Sequence, residues 1–180
     1  MYKIAGALAA KGGSLDEVYK VAEWTASNIG TIGVGLEHCH VRLLPTRPQS
    51  STNLAQVPGT ATGETHLAAD EIEIGLGIHN ESGIKRLSPV PPLRELVPQI
   101  LDFITSTTDK ERSYLPFKSD GSDEVVLFLN NLGGLSELEI GGIVNAVNTE
   151  LATRKIKVAR VIAGTFMVCS SFMTININYD

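Results

Sequence analysis

This sequence is poor in the residues that thiol chemistry, nucleic-acid binding or membrane insertion would need. It has only two cysteines, Cys39 and Cys169, in no metal-ligand spacing. That excludes a disulfide framework and a cysteine-based zinc site, and it points to a reducing compartment. Basic residues are outnumbered, with 15 Lys and Arg against 20 Asp and Glu, a net charge of −5 and a pI of about 5.4. A chain of that sign is a poor partner for nucleic acid or an anionic membrane. No apolar run is long enough to span a bilayer. Ile4 to Ala10 has the look of a short signal core, but only Lys3 precedes it, and Lys11-Gly12-Gly13 stands where a cleavage site would lie. It reads as the last turns of a helix that ends at glycine. No internal repeat is present. What remains is an ordinary globular composition, 43% hydrophobic and 19% charged over 180 residues, enough for one domain with a core of its own.

Ser14-Leu15-Asp16-Glu17 has the spacing of a capping box. Leu15, Val18, Tyr19, Ala22 and Ala26 follow at three- and four-residue intervals, which predicts an amphipathic helix over Leu15 to Asn28. Thr31 to Cys39 reads as a strand with Ile32, Val34 and Leu36 on one face and Gly33 and Gly35 on the other. Val41 to Leu67 shows no clear periodicity and forms an unusually long connection. Leu93, Leu96, Val97, Ile100, Leu101 and Ile104 make a helical stripe around Pro98, which either kinks the helix or marks its first turn. Ser106 to Asp123 is polar and loop-like. Val125 to Leu129 fits a strand buried on both faces, and Ile156 to Gly164 fits another. Between them, Ser136 with Glu139 offers a second capping box ahead of a helix carrying Ile140, Val144, Val147 and Leu151. Strand, helix, strand is a crossover unit. The expected fold class is α/β, with α+β as the variant: a mixed β-sheet with helices packed on it.

The stretch Asp70 to Gly83, DEIEIGLGIHNESG, carries the strongest functional signal. Ile72, Ile74, Leu76 and Ile78 alternate as one face of a strand. Gly75 and Gly77 leave the other face open to close approach by a ligand or another backbone. His79 follows at the strand's rim. It suits a nucleophile or acid/base, and equally a surface histidine in a polar turn. Glu81 either orients an imidazole or solvates that turn. The shared glycine pattern suggests that the two strands are neighbours lining one cleft. His38 and His40 could bind a metal as a His-x-His pair, but no third ligand is near in sequence. Asn130 to Gly134 could form an amide-rich anion site at a helix N-terminus; no Gly-Lys-Ser/Thr follows, so it is no Walker loop.

Four segments taken together resemble the dihydroxyacetone (glycerone) kinase family. They are KIAGALAAKGGSLDEVYKVAEWTASNIGTIGVGLEHC, DEIEIGLGIHNESG, EVVLFLNNLGGLSELEIGGIVNAV and KVARVIAGTFM. The match is to the second half of the substrate-binding K domain, in the fungal single-chain ATP-dependent form. The resemblance implies a transferase of glycerol metabolism that phosphorylates dihydroxyacetone, or a similar small hydroxyketone, to dihydroxyacetone phosphate. It gives His79 a specific role: an imidazole nitrogen adds to the ketone carbon and forms a hemiaminal. Gly75, Gly77 and Glu81 join His79 as substrate-binding residues; the resemblance adds no metal ligand. Asn80 and Ser82 stand where many members carry Gly and Pro.

The resemblance further implies partners beyond this sequence. These are an N-terminal half-domain with a Gly-Ser-Gly-His-Glu loop and a helical domain that holds ATP and Mg2+. The fragment alone is therefore expected to bind no cofactor and to be inactive, and the full-length enzyme to be a cytoplasmic homodimer. The alternative is a non-catalytic module that senses carbonyl ligands or mediates an interaction.

Two stretches depart from the family pattern. Residues 1–167 are expected to form the C-terminal half-domain, interrupted by an insert at 41–56. Val41-Arg42, Ser51-Thr52-Asn53 and Gln56 can be encoded as a fungal 5′ splice site, branch point and 3′ splice site, so the insert reads as a retained intron. Val168-Cys169 can encode another 5′ splice site, and 168–180 is expected to be a non-native tail replacing a core strand and leaving a sheet edge open.

Overall fold

A computed structural model describes residues 1–36, 41–42, 54–55, 67–77, 81–167 and 172–179. The first two elements are helices α1 (Tyr2–Ala10) and α2 (Leu15–Ser27). Gly12, at φ +86°, ends the first. Gly13 N–H reaches back to Leu8 O at 3.1 Å, which satisfies a carbonyl that the helix end would leave bare. The capping box opens the second: Glu17 N–H donates to Ser14 Oγ at 3.4 Å and Ser14 N–H donates to Glu17 Oε2 at 2.8 Å. The two helices pack on each other.

The remaining elements in chain order are β1 (Ile29–Gly35), β2 (Val41–Arg42), β3 (Leu54–Ala55), β4 (Ile72–Ile74), β5 (Lys85–Leu87), α3 (Leu93–Thr105), β6 (Glu124–Asn131), α4 (Glu137–Thr153), β7 (Lys157–Gly164) and β8 (Phe172–Tyr179). Six strands form one mixed sheet in the order β5-β4-β1-β8-β6-β7. Only β6 and β7 are parallel, joined through α4; the other neighbours are antiparallel. The fold is α/β, as expected. β2 and β3 pair as a separate two-stranded ribbon at the ends of the 41–56 stretch.

Alternation along the strands sends one set of side chains to the helical side. Ile32, Val34, Ile74, Val125, Leu127, Leu129, Ile175 and Ile177 are buried with Leu96, Val97, Ile100, Leu101 and Ile104 of α3 and Ile140, Ile143, Val147 and Leu151 of α4. Gly30 makes room for this layer, because a Cβ there would lie 2.6 Å from Ile104 and 2.9 Å from Leu115. β6 alternates buried and half-buried residues, so it is not the two-faced buried strand that VVLFL suggested. Pro98 lies within α3 and not at its start. Arg154, which caps α4, fastens the two helices together. Its Nη1 donates to Asp102 at 2.7 Å and to Thr105 Oγ1 at 2.9 Å, its Nη2 to Pro98 O at 3.0 Å, and its Nε to Glu150 at 2.8 Å.

The C-terminal segment holds a central place. β8 lies between β1 and β6, with Met173, Ile175 and Ile177 buried. No sheet edge is open where a core strand was expected to be missing. Tyr179 Oη donates to the buried Asp123 at 2.9 Å, and its ring meets Phe117 edge-on at 5.2 Å. Burial pushes the Tyr179 hydroxyl above the ordinary tyrosine value, with the Asp123 hydrogen bond adding to the effect.

Candidate functional site

The two glycine-patterned strands are neighbours. β1 and β4 pair antiparallel, with Val34 opposite Ile74 and Gly35 opposite Glu73. β4 is shorter than the alternation predicted. It stops at Ile74 because Gly75 turns to φ +80°, a conformation that favours glycine. Leu76 is buried against Leu132, in a small cluster apart from the main core.

From Gly75 the chain runs into a turn that returns as β5. Gly75 N–H donates to Gly33 O at 2.7 Å, Gly77 N–H to Glu81 O at 2.9 Å and Ile84 N–H to Ile74 O at 2.7 Å. The glycine faces are used by the turn itself. A Cβ on Gly75 would sit 2.9 Å from Ile84, and one on Gly77 would overlap the Glu81 carboxylate. The close approach expected of these glycines is therefore to their own hairpin. Gly75, Gly77 and Glu81 are brought together here. His79 lies outside the described residues, as do Ile78, Asn80 and the His38-Cys39-His40 triplet.

Glu73 lies on β4 between Ile72 and Ile74. It is buried, with 6% exposure, and both of its oxygens are engaged. Oε1 accepts the Gly83 N–H at 2.6 Å, and Oε2 accepts Arg86 Nη2 at 3.1 Å. Arg86 stands opposite Glu73 in the β4–β5 register and also lies 3.9 Å from Glu71. The signal was present in the sequence as an acidic residue between two apolar ones with an arginine across a hairpin, but its depth was not.

In Asn130–Gly134, which could form an amide-rich anion site, the two Asn side chains bond to the protein itself. Asn130 Oδ1 accepts Phe166 N–H at 2.9 Å and Met167 N–H at 3.0 Å. Asn131 Oδ1 accepts Gly133 N–H at 3.0 Å and Leu135 N–H at 3.2 Å, while its Nδ2 donates to Leu135 O at 2.7 Å. These buried amides tie the loops after β6 and β7 together. At the start of α4, Ser136 caps the helix, and the Glu139 carboxylate accepts Ser136 N–H at 2.7 Å. That backbone bond, with the Ser136 hydroxyl, holds Glu139 below the ordinary glutamate value. A negative charge so placed opposes a second anion at the start of α4. Among the described residues, no group of three or more His, Cys, Asp or Glu could hold a metal ion, and no helix is long and apolar enough to cross a membrane.

Among the described residues, two of the clefts lie beside the core. The larger, about 520 Å3, is polar and lies at the end of α3 beside Asp102, Thr105, Ser106, Asp109 and Arg154. None of the predicted site residues lines it, and its one guanidinium is spent on the α3–α4 clamp. The smaller, about 210 Å3, is apolar and borders the end of β1 at Val34, Leu36, Leu96, Leu135 and Met173.

Comparison with known proteins places the chain. The model of the Dak1 domain matches residues 1–177. The chain is 45% identical over 170 residues to a dihydroxyacetone kinase of Pichia angusta, covering 92% of this chain and 27% of that protein. It is 44% identical over 167 residues to triokinase/FMN cyclase of Rattus norvegicus, covering 93% and 25%. It spans about a quarter of the length of these relatives. Among solved structures, it superposes on the dihydroxyacetone kinase operon co-activator Dha-DhaQ with a TM-score of 0.69 at 22% identity, over 98% of this chain and 47% of that one. For the C. freundii dihydroxyacetone kinase in complex with AMP-PNP and Mg2+ the TM-score is 0.67 at 23% identity, over 98% and 28%. At such identities the likeness is one of fold.

Proposed function

The chain belongs to the dihydroxyacetone kinase family through its Dak1 domain, and from that premise we propose that it is the ketone-binding half of the kinase's substrate domain. In this reading His79 tethers dihydroxyacetone, or a similar small hydroxyketone, for ATP-dependent phosphorylation to dihydroxyacetone phosphate. The lone pair of a neutral imidazole nitrogen forms a C–N bond to the ketone carbon. The C=O π bond opens, the oxygen takes up a proton, and the other ring nitrogen releases one. The product is a neutral hemiaminal that selects carbonyl compounds and orients the terminal hydroxyl.

The observation that carries the reading is the frame around His79. Gly77 and Glu81, its neighbours two residues away on either side, are joined by a backbone hydrogen bond at 2.9 Å, within a hairpin anchored to β1. A backbone bond between the residues on either side of a nucleophile, on a strand paired in a sheet, is a sound support for it. ATP and Mg2+ belong, in this proposal, to a further domain of a longer cytoplasmic, homodimeric enzyme, and this chain alone does not phosphorylate. Residues 1–167 form the half-domain, 41–56 is an insert, and 168–180 differs in origin from the family's own continuation. Transcript sequencing tests the last two points; mature messages that keep both segments would refute retained introns.

Two measurements test the function. In an assay with ATP and dihydroxyacetone the isolated chain gives no turnover; turnover would refute its inactivity. With dihydroxyacetone labelled at C2 by 13C, the ketone carbon signal moves to the tetrahedral range, and His79→Ala abolishes the change. A second reading is a non-catalytic carbonyl-sensing or interaction module. The likeness in fold to the dihydroxyacetone kinase operon co-activator Dha-DhaQ supports it. An adduct that alters binding to another protein, without phosphoryl transfer, would support it.

A further inference from the structure

We propose that the edge strand β7, with the flank of α4 beside it, pairs with a second copy of this chain about a two-fold axis. The inference gives the homodimer of the proposed function a surface and rests on that part of the reading alone.

The sheet ends differently at its two edges. β5 is three residues long and carries the exposed Lys85 and Arg86. Shortness and charge keep a free edge from pairing. β7 has eight residues, and among the described strands it is bonded to β6 alone. Its ladder shifts where Val125 and Val126 face Val158 and Arg160, which leaves Ala159 as an extra residue. Beyond that bulge, 160–164 runs in unbroken register with 126–130. Val161 stands opposite the fully buried Leu127 yet is 39% exposed, because β7 is the outermost strand.

A two-fold axis normal to the sheet lays a second β7 antiparallel to the first and keeps both α4 helices on one side. Residues directly opposite then share a face, so their numbers differ by an even amount. Centring on Ile162 pairs the whole regular stretch: Ile162 with Ile162, Val161 with Ala163, and Arg160 with Gly164. A register centred nearer Arg160 runs into the bulge, and one centred on Arg160 sets two guanidinium groups face to face. Lys157, the other cation of β7, lies outside the paired stretch and donates to Glu124 at 3.0 Å. The edge is thus complementary to itself, with apolar and small residues meeting and no like charges opposed.

α3 packs against β1 and α4 against β7, so the flank of α4 turned from α3 lies toward the free edge. Ile143 and Arg154 meet α3. On the other flank Gly141, Asn145, Asn148 and Ala152 recur at helical spacing, none of them charged. A Cβ on Gly141 would meet nothing within 4 Å, which leaves room for another helix to come close. Asn148 Oδ1 is buried with no hydrogen-bond partner, a deficit native structures rarely keep. A second α4 laid along this flank brings its own asparagine amides to it.

The test is sedimentation velocity of the full chain from nanomolar to high micromolar concentration. The chain sediments as a dimer at the upper end. Val161→Lys raises the dimer dissociation constant about ten-fold or more, with the melting midpoint of the dilute monomer unchanged. Ile162→Cys, oxidised, gives a linked dimer whose peptide map joins residue 162 to itself, since directly opposed residues lie within disulfide reach; Arg160→Cys does not. Gly141→Gln, which has space in the single chain, also weakens the dimer and decides the matter if Val161→Lys does not fold. A monomer at every concentration, or a dimer that Val161→Lys and Gly141→Gln leave intact, overturns the proposal. So does a dimer lost on Leu15→Lys instead, which would place the contact on the bare face of α2. The 13C ketone adduct is read on the same samples: a monomer that forms it fails this inference alone, and a dimer without it fails the ketone reading alone.

Discussion

α2 and α3 both carry apolar residues at helical spacing, yet only the stripe of α3 is buried. α3 sinks six residues into the core and α4 four. In α2 only Thr25 is buried, in α1 none, and Leu15 stands 84% exposed. An apolar stripe shows that a helix has a face; it does not show that the face is covered. α2 is held at its start by the Ser14–Glu17 box, a local device that works without a partner layer.

Substitutions should separate the two regions, beginning in the core. Ile175→Ala and Leu127→Ala, fully buried on adjacent strands, should each lower the urea-measured unfolding free energy by about 2–5 kcal/mol. A smaller loss would mean that β8 is not integral to the sheet. Arg154→Ala removes the α3–α4 clamp and should cost about 1–3 kcal/mol, with faster amide exchange at the end of α3. Ser136→Ala should cost about 1 kcal/mol, read as a lower melting midpoint.

Acid titration probes the same caps. Glu17 and Glu139 are both held below the ordinary glutamate value by hydrogen bonds from their capping serines, backbone first. A lowered folded value means that this stabilisation is complete above the ordinary glutamate value and disappears as pH falls through the folded one. The melting midpoint should drop over that window, and Ser14→Ala with Ser136→Ala should lessen the drop only in part, because the backbone N–H donors remain. The smallest effect is expected at the bare face. Leu15→Ala should change stability by less than about 0.5 kcal/mol; a larger loss would show that something covers it.

Much of the core was legible because its periods are strong. Leu96, Val97, Ile100, Leu101 and Ile104 recur at helical spacing and are buried. Both capping boxes form, and β1 and β4 are neighbours. The misreadings were matters of partnership. Asn130 and Asn131 stood out as part of an amide-rich turn, but Asn130 is bonded to Phe166 and Met167, and Asn131 to Thr165, on the loop after β7 more than thirty residues away. The polar stretch 106–123 hid Leu115, Phe117 and Asp123, all buried, because no regular period frames them. At the candidate site the glycines were legible as points of close approach; that they approach their own turn, braced by a buried Glu73, depends on tertiary contacts no local pattern encodes.

The place of β8 bears on how this protein is made. β1 leaves the ribosome long before its antiparallel neighbour β8, with Ile29 opposite Asn178. Until residues 172–179 emerge, β1 and β6 each present a full-length unpaired edge. Contacts of such sequence separation form slowly. The nascent chain is therefore aggregation-prone throughout the interval between the emergence of β6 and that of β8, and losing β8 would bare two internal strand edges at once.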